Sequence, residues 1–406
     1  MRDATLAWRR NVLAVTAATF IGFTGFTLVM PFLPLFIREL GVSDVGEIAM
    51  WTGAILGITP ALTAIMAPFW GRLSDRFGRK IMVVRSLTAA SLVMGGIAFV
   101  AHPWQMFALR CALGLLTGYG PLALTMAAES APRAQMASAI GLVQTAQRLG
   151  PAVGPVIGGV LAGVVGLRAT FLVTAGFYAT ALVLVLVMYS EPRHDSSAHA
   201  ARAGVTIKTA LALENFVLLM AVVFGLQFAD RSVGPILPLY VEQIGVESAQ
   251  VPLVAGLLFS AMAVTGALGH HFCGKLLQRF TPRSVLSGAA AMAAVGAGLV
   301  GLNSNVWLLA ASAAAFGGGI GAALTAAYTA AGAVIPSGAH GAGFGILSSA
   351  SLTGFAVSPV IAGLIGATSL RSVFLLDVLV LAALATVVWR IFAQPAALAT
   401  PVVGDS

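Results

Sequence analysis

Gly71-Arg72-Leu73-Ser74-Asp75-Arg76-Phe77-Gly78-Arg79-Lys80 places five charged residues and two glycines in ten positions. The chain around it is only 9% charged and 59% hydrophobic, and apolar runs end at Trp70 and resume at Ile81. A polar decapeptide between two apolar stretches of spanning length reads as a short, tight hairpin joining two membrane helices. Gly71 and Gly78 allow the close turn, and the basic excess assigns the hairpin to the cytoplasmic side.

The rest of the chain extends this reading. A soluble domain is about 45–50% apolar and about 25% charged, whereas the 406-residue chain has a mean hydropathy of +0.96. The N-terminus carries Arg2, Arg9 and Arg10, followed by an apolar run from Asn11 to Ile37. That run is too long for a cleaved signal sequence and reads as a retained first span. About 20 apolar residues cross a bilayer. On that measure the sequence predicts twelve spans, at 11–37, 47–69, 82–101, 104–127, 137–163, 168–189, 212–240, 250–270, 284–302, 306–330, 341–367 and 371–394. With the N-terminus inside, sixteen Lys and Arg residues fall in inner segments and only Arg38, Arg168 and Arg371 in outer ones. This places both termini in the cytoplasm.

The net charge of +8 therefore reflects membrane orientation, and nucleic-acid binding is not expected. Cys111, in an apolar helix, and Cys273, in a basic loop, offer neither a disulfide framework nor a metal spacing. His270-His271 reads as a solvated loop pair. No metal and no cofactor other than a proton gradient is expected, and no nucleophile–base set lies at membrane depth.

The long polar connection from Ser190 to about Lys208 divides the spans six and six. The expected organisation is a first bundle at 1–189, a cytoplasmic linker at 190–211, a second bundle at 212–394 and a cytoplasmic tail at 395–406. The halves are related. Pro31–Ile37 and Gly41 match Pro235–Val241 and Gly245 at an offset of 204, as Gly150–Ile157 match Gly354–Ile361. At an offset of 203, Gly71–Phe77 match Gly274–Phe280. Two pseudo-symmetric six-helix repeats are a common transporter plan.

Three motifs carry a resemblance over essentially the whole chain. Gly71, Leu73, Asp75, Arg76, Gly78, Arg79 and Lys80 fit the loop motif G-x-L-x-D-R-x-G-R-K between spans 2 and 3. Arg110 and Gly114 fit a span 4 motif, with Gly118 one turn on. Gly141, Gly150, Gly154-Pro155 and Gly158-Gly159 fit G-x8-G-x3-G-P-x2-G-G in span 5. On these the chain resembles the twelve-helix major facilitator superfamily, in its drug:proton antiporter branch, and is similar to bacterial multidrug exporters of the MdtG-like kind. The resemblance implies an all-α, multi-pass protein of the bacterial inner membrane. It also implies export of small amphiphilic compounds by alternating access in exchange for protons. The alternative on the same fold is a proton-coupled or facilitative importer of a small metabolite, because fold does not set direction. Small-molecule substrate, protons and the lipid bilayer are the expected partners, and a monomer is the expected state.

Each candidate residue has a physical reading and a plainer one. In the hairpin, Asp75 is suited to the positive N-terminal end of a helix, which the resemblance places at span 11, near Gly341. Arg76, Arg79 and Lys80 can pair with acids at neighbouring helix ends, Glu129 being the candidate. The stretch is then a cytoplasmic latch; the plainer reading is an orienting positive loop. Gly150, Gly154, Pro155, Gly158 and Gly159 read as a hinge or as close helix packing. Charges at membrane depth are functional candidates by default. Arg110 is implied by the resemblance to serve proton coupling or substrate. Arg148 shares a helical face with Gln144 and Gln147 and lines the expected cavity, to which Gln227 of span 7 is also assigned; the plainer reading is a structural arginine satisfied by neighbouring carbonyls. Asp230 can load and unload a proton if an approaching Arg231 shifts its affinity; the plainer reading is a fixed ion pair. Asp377 in span 12 is the reserve carboxylate. In the second copy Gln278 stands for Asp75, and Thr281-Pro282 for Gly78-Arg79, so any latch is asymmetric.

Overall fold

A computed structural model describes residues 2–132, 135–191, 213, 215–335 and 340–392. The polar linker lies mostly outside them, and the tail wholly so. The described residues form fourteen α-helices and one 3-10 turn, with no strand among them. The first six predicted spans comprise α1 (Arg2–Leu28), a 3-10 turn at Met30–Phe32, α2 (Leu33–Glu39), α3 (Val45–Phe77), α4 (Arg79–Ile97), α5 (Pro103–Leu116), α6 (Tyr119–Ser130), α7 (Met136–Val165) and α8 (Leu167–Met188). The remainder are α9 (Phe216–Gln243), α10 (Val251–Leu277), α11 (Pro282–Leu302), α12 (Val306–Val334), α13 (His340–Gly366) and α14 (Leu370–Ile391). Eleven helical stretches are long and apolar enough to cross a membrane. The missing span is 104–127, which is built from α5 and α6, each too short alone. The break falls at Thr117-Gly118, where Gly118 has φ +151°. The first span is interrupted where Pro31 and Pro34 remove backbone donors.

Two readings of local structure change. The hairpin is tighter than its composition implied: Gly71–Phe77 form the last two turns of α3, and the reversal is made at Gly78 alone. Gly71 sits in the helix with open space around it, so it is not a turn glycine. At the other change, α10 continues to Leu277 through His270-His271, so neither histidine lies in a loop. Cys273 is buried on that helix, and His270 Nδ1 lies 2.6 Å from the Thr325 hydroxyl.

The chain packs as two compact units, Met1–Ala198 with Leu237–Ser260, and His199–Ile236 with Ala261–Ser406. In the first, α1 packs on α7 and α8, α3 on α5, and α4 on α8. In the second, α11 packs on α12 and α14. The duplication is visible in the contacts within each unit. A Cβ on Gly150 would lie 2.8 Å from Thr24 N and 2.9 Å from Phe23 Cβ. A Cβ on Gly354 would lie 3.2 Å from Gln227 Cβ and 3.3 Å from Phe228 N, the same two positions plus 204. Likewise Gly114 backs onto Thr59 O, and Gly317 onto Met262 O at an offset of 203. Small residues that let helix backbones meet are conserved between the copies because van der Waals contact drives helix association in lipid.

Candidate functional site

The inner end of the first unit is organised around Gly78. Its φ of +90° is a conformation that glycine adopts without strain. A Cβ there would also lie 2.7 Å from Glu191 Oε2. The Glu191 carboxylate accepts from Arg79 N, supplying the start of α4 with the acceptor that no side chain of its own provides. Arg79 is 6% exposed and ion-paired to Glu129 at the end of α6. Lys80 Nζ donates to Leu186 O at 3.1 Å and Tyr189 O at 2.6 Å, the carbonyl end of α8, where a cation is favoured. Arg76 is exposed and lies over the Phe77 ring at 5.2 Å. The Tyr189 phenol is buried beside this cluster, and burial pushes it up to about 12. Asn11 ties the same end to α1, donating to Ser190 O at 2.7 Å and accepting from Ser190 N at 3.0 Å. The side chain of Asp75 and the surroundings of Gly341, the two ends of the expected contact with span 11, lie outside what is described.

The span 5 glycines have little room. Gly150, Gly154 and Gly158 lie one turn apart on α7 and back onto the α1 backbone at Thr24 N, Thr24 O and Leu28 O. Gly159 backs onto Pro252 O, and Gly256 of α10 onto Pro155 O. Gly141 faces open space and has no such duty. Pro151 and Pro155 both sit inside α7 and remove two of its hydrogen-bond donors.

The charged candidates fall into separate places. Arg110, midway along α5, is 2% exposed, and its Nε and Nη2 are buried without a hydrogen-bond partner. Its surroundings hold Tyr178 of α8, which packs beside Gly22 together with Tyr119. The Tyr119 hydroxyl in turn meets Thr19 Oγ1 at 2.8 Å. On α7, Gln147 Nε2 donates to Gly120 O at 3.1 Å, while Gln144 and Arg148 are exposed. In the second unit Asp230 and Arg231 pair, Nε to Oδ2 at 3.1 Å, although neighbours on a helix point about 100° apart. The Arg231 guanidinium also covers Phe355 of α13 at 4.4 Å. Gln227 is half-buried against Gly354. Asp377 is wholly buried, with Ser232 Oγ 2.6 Å from its Oδ2.

Residues that composition did not single out complete the picture. Glu191 reads as linker in the sequence, yet it holds the start of α4. Arg38 and Glu242 form a forked pair, both bonds 2.7 Å, with Ser248 Oγ donating to Glu242 at 2.7 Å. The signal for this pair was available: 38 and 242 differ by 204, so the two copies of one position bond to each other.

A family model described as Major Facilitator Superfamily matches residues 15–269 and 219–404. The chain is 34% identical over 284 residues to "Multidrug resistance protein MdtG" of Serratia proteamaculans (strain 568), covering 69% of this chain and 68% of that one. It is 32% identical over 304 residues to the protein of the same name from Proteus mirabilis (strain HI4320), covering 75% and 76%. Among solved structures, the fold is similar to a bacterial homolog of the human lysosomal transporter Spinster, in an inward-facing and occupied conformation. The TM-score there is 0.76 at 19% identity, covering 94% of this chain and 96% of that one. The fold is also similar to nucleoside transporter NupG, with TM-score 0.74 at 14% identity, covering 95% and 99%.

Proposed function

Because the chain belongs to the Major Facilitator Superfamily, and is thus a multi-pass membrane transporter of small molecules, we propose that it exports amphiphilic compounds by alternating access in exchange for protons. The observation that carries direction is the intact span 5 motif, in which Gly150, Gly154 and Gly158 leave no space for a side chain between α7 and α1. The relatives' printed name, multidrug resistance protein, supports the same reading. The proposed cargo is neutral, zwitterionic or anionic, because Arg110, Arg148 and Arg231 outnumber Asp230 among the deep charges. Asp230, paired with Arg231, is the proposed coupling carboxylate. The basic excess supports a cytoplasmic-membrane location with both termini inside; we take the working unit to be a monomer.

The test is a susceptibility screen in a bacterial host lacking its major pumps, followed by exchange in inverted vesicles. Drug accumulation driven by an imposed proton gradient, lost in Asp230→Asn while substrate binding persists, is expected. Proton-driven movement of a metabolite into right-side-out vesicles, with no protection in the screen, overturns export in favour of import. A preference for lipophilic dications overturns the cargo assignment.

A further inference from the structure

The second unit holds a carboxyl that the proposed coupling pair leaves unused. Asp377 lies in the buried stripe of α14 between Phe374 and Leu381, and none of its surface is exposed. Its Oδ1 is buried and has no hydrogen-bond partner. Its Oδ2 lies 2.6 Å from Ser232 Oγ, and that same hydroxyl lies 2.9 Å from Ala229 O. A hydroxyl has a single proton to give. Both contacts are satisfied together only when the second proton comes from Asp377, with Ser232 donating to Ala229 O and accepting from the acid. An ionised carboxylate here would have one oxygen with no donor, and a buried charge in that state neutralises.

The charges on the packed helices point the same way. Among the described residues, α9 presents Asp230 and Arg231, and the Arg231 cation is held by Asp230 and Phe355. From α11 there is Arg283, which lies over Trp389 near the opposite end of α14 from Asp377. Arg371 and Arg390 sit at the two ends of α14 itself. No titratable residue of α13 is described against it; Ser358 of that helix donates to Phe228 O. Asp230 thus has a cation and Asp377 has none. A buried carboxyl with no cation beside it would bear the full cost of a buried charge if it were ionised.

We propose that Asp377 is a proton-binding site, occupied by a proton in this conformation and closed by Ser232. Its use in coupling rests on the exporter reading above; its occupancy does not. It is a carboxyl one helix behind the Asp230–Arg231 pair, released only when α9 and α14 part enough to hydrate it. The site takes a proton and no larger ion, because no further ligand converges on Oδ1.

The experiment is infrared difference spectroscopy of the purified protein, with no substrate present, across a pH titration in H2O and D2O. A carbonyl band of a buried carboxylic acid, shifted by deuteration, is expected at neutral pH. It should vanish in Asp377→Asn, persist in Asp230→Asn and move in frequency in Ser232→Ala. Asp377→Asn replaces one neutral group by another of the same shape, so it should fold; Ser232→Ala keeps the acid and guards against its failing to do so. Absence of the band in the wild type, or its persistence in Asp377→Asn, overturns the proposal. A failed drug-exchange assay with the band present and removed by Asp377→Asn would overturn the exporter reading and leave the proton site standing.

Discussion

The forked pair between Arg38 and Glu242 yields a prediction that can be worked in numbers. Arg38 ends α2 and Glu242 ends α9, so the pair ties the Leu237–Ser260 segment to the first six-helix half inside one packed unit. Charge-assisted bonds net about 1.5–3 kcal/mol where water is excluded, and exposed pairs about 0.2–1 kcal/mol. The side chains are 36% and 22% exposed, so solvent screens part of the interaction. About 1–1.5 kcal/mol is the reasonable figure for a forked pair of that exposure. Opening of this contact should then be about 5–10-fold more populated in Arg38→Gln or Glu242→Gln, at about 1.4 kcal/mol per decade. Ala255, on the tied part of α10, is 0% exposed. A cysteine there, with Cys111 and Cys273 replaced by serine, should react with a maleimide about 5–10-fold faster in either single variant, since labelling follows the open population. The duplication supplies a sharper control. The two positions are equivalent, so Arg38→Glu with Glu242→Arg should restore slow labelling. Labelling that changes less than about twofold in both singles, or a swap that labels as fast as they do, refutes the reasoning.

The other predictions concern packing and the inner cluster. Gly158→Ala drives a methyl into Leu28 O and should cost about 1–3 kcal/mol by overpacking, read as a lowered melting midpoint in detergent, while Gly141→Ala should melt as wild type. Gly78→Ala meets both the +90° backbone and Glu191, and should cost about 1–3 kcal/mol from the backbone alone; Glu191→Gln should weaken the same site without touching the turn, so hydrogen exchange at the first turn of α4 should rise in both. Arg79→Gln removes the ion pair to Glu129 and should reduce transport more than expression, checked by activity per mole of purified protein. Tyr189 stays neutral in the folded state up to about 12, whereas a free phenol ionises near 10.0. Its contribution to stability is therefore complete below about pH 10 and lost as pH rises toward 12, and Tyr189→Phe should flatten that part of a melting-versus-pH curve.

The fold was legible because it depends on composition over long windows. An apolar run of about 20 residues needs a helix in lipid whatever its neighbours, so twelve spans could be drawn from hydropathy alone, eleven of them met by unbroken helical stretches and one by the α5–α6 pair. What escaped depended on single residues or on partners distant in sequence. Nothing local distinguishes the break at Thr117-Gly118 from the many glycines inside helices; it is the backbone angle of Gly118 that makes it. The α10 helix outran its apolar run because Lys275 in its last turn is favoured by the helix carbonyl end. Glu191 was hidden by the polarity of the linker that begins beside it. Arg110 and Asp377 were visible as lone charges in apolar spans, but only coordinates reveal that each is buried with unpartnered atoms.

The two copies kept their packing and parted in their charges, and the start of the third helix in each shows how. In the second copy, Thr281 caps α11 by accepting from Ser284 N at 3.3 Å, and Pro282 occupies the first turn. That helix start is self-sufficient, since cap and proline satisfy or remove the donors that would otherwise be orphaned. In the first copy the equivalent residues are Gly78 and Arg79, no side-chain cap exists, and the missing acceptor is Glu191, more than a hundred residues on. The helix start that carries the latch motif therefore depends on the linker end, whereas its twin depends on nothing beyond its own turn. A motion of the segment after Tyr189 would be felt at Gly78, Arg79 and Lys80, all of which contact residues 186–191. The same motion has no equivalent contact to act on at Thr281. A Thr-Pro graft at 78–79 would meet the +90° backbone and the Glu191 carboxylate and would remove the Arg79–Glu129 ion pair, so it should lower the melting midpoint; a midpoint at or above that of the wild type would refute the dependence of this helix start on glycine and Glu191.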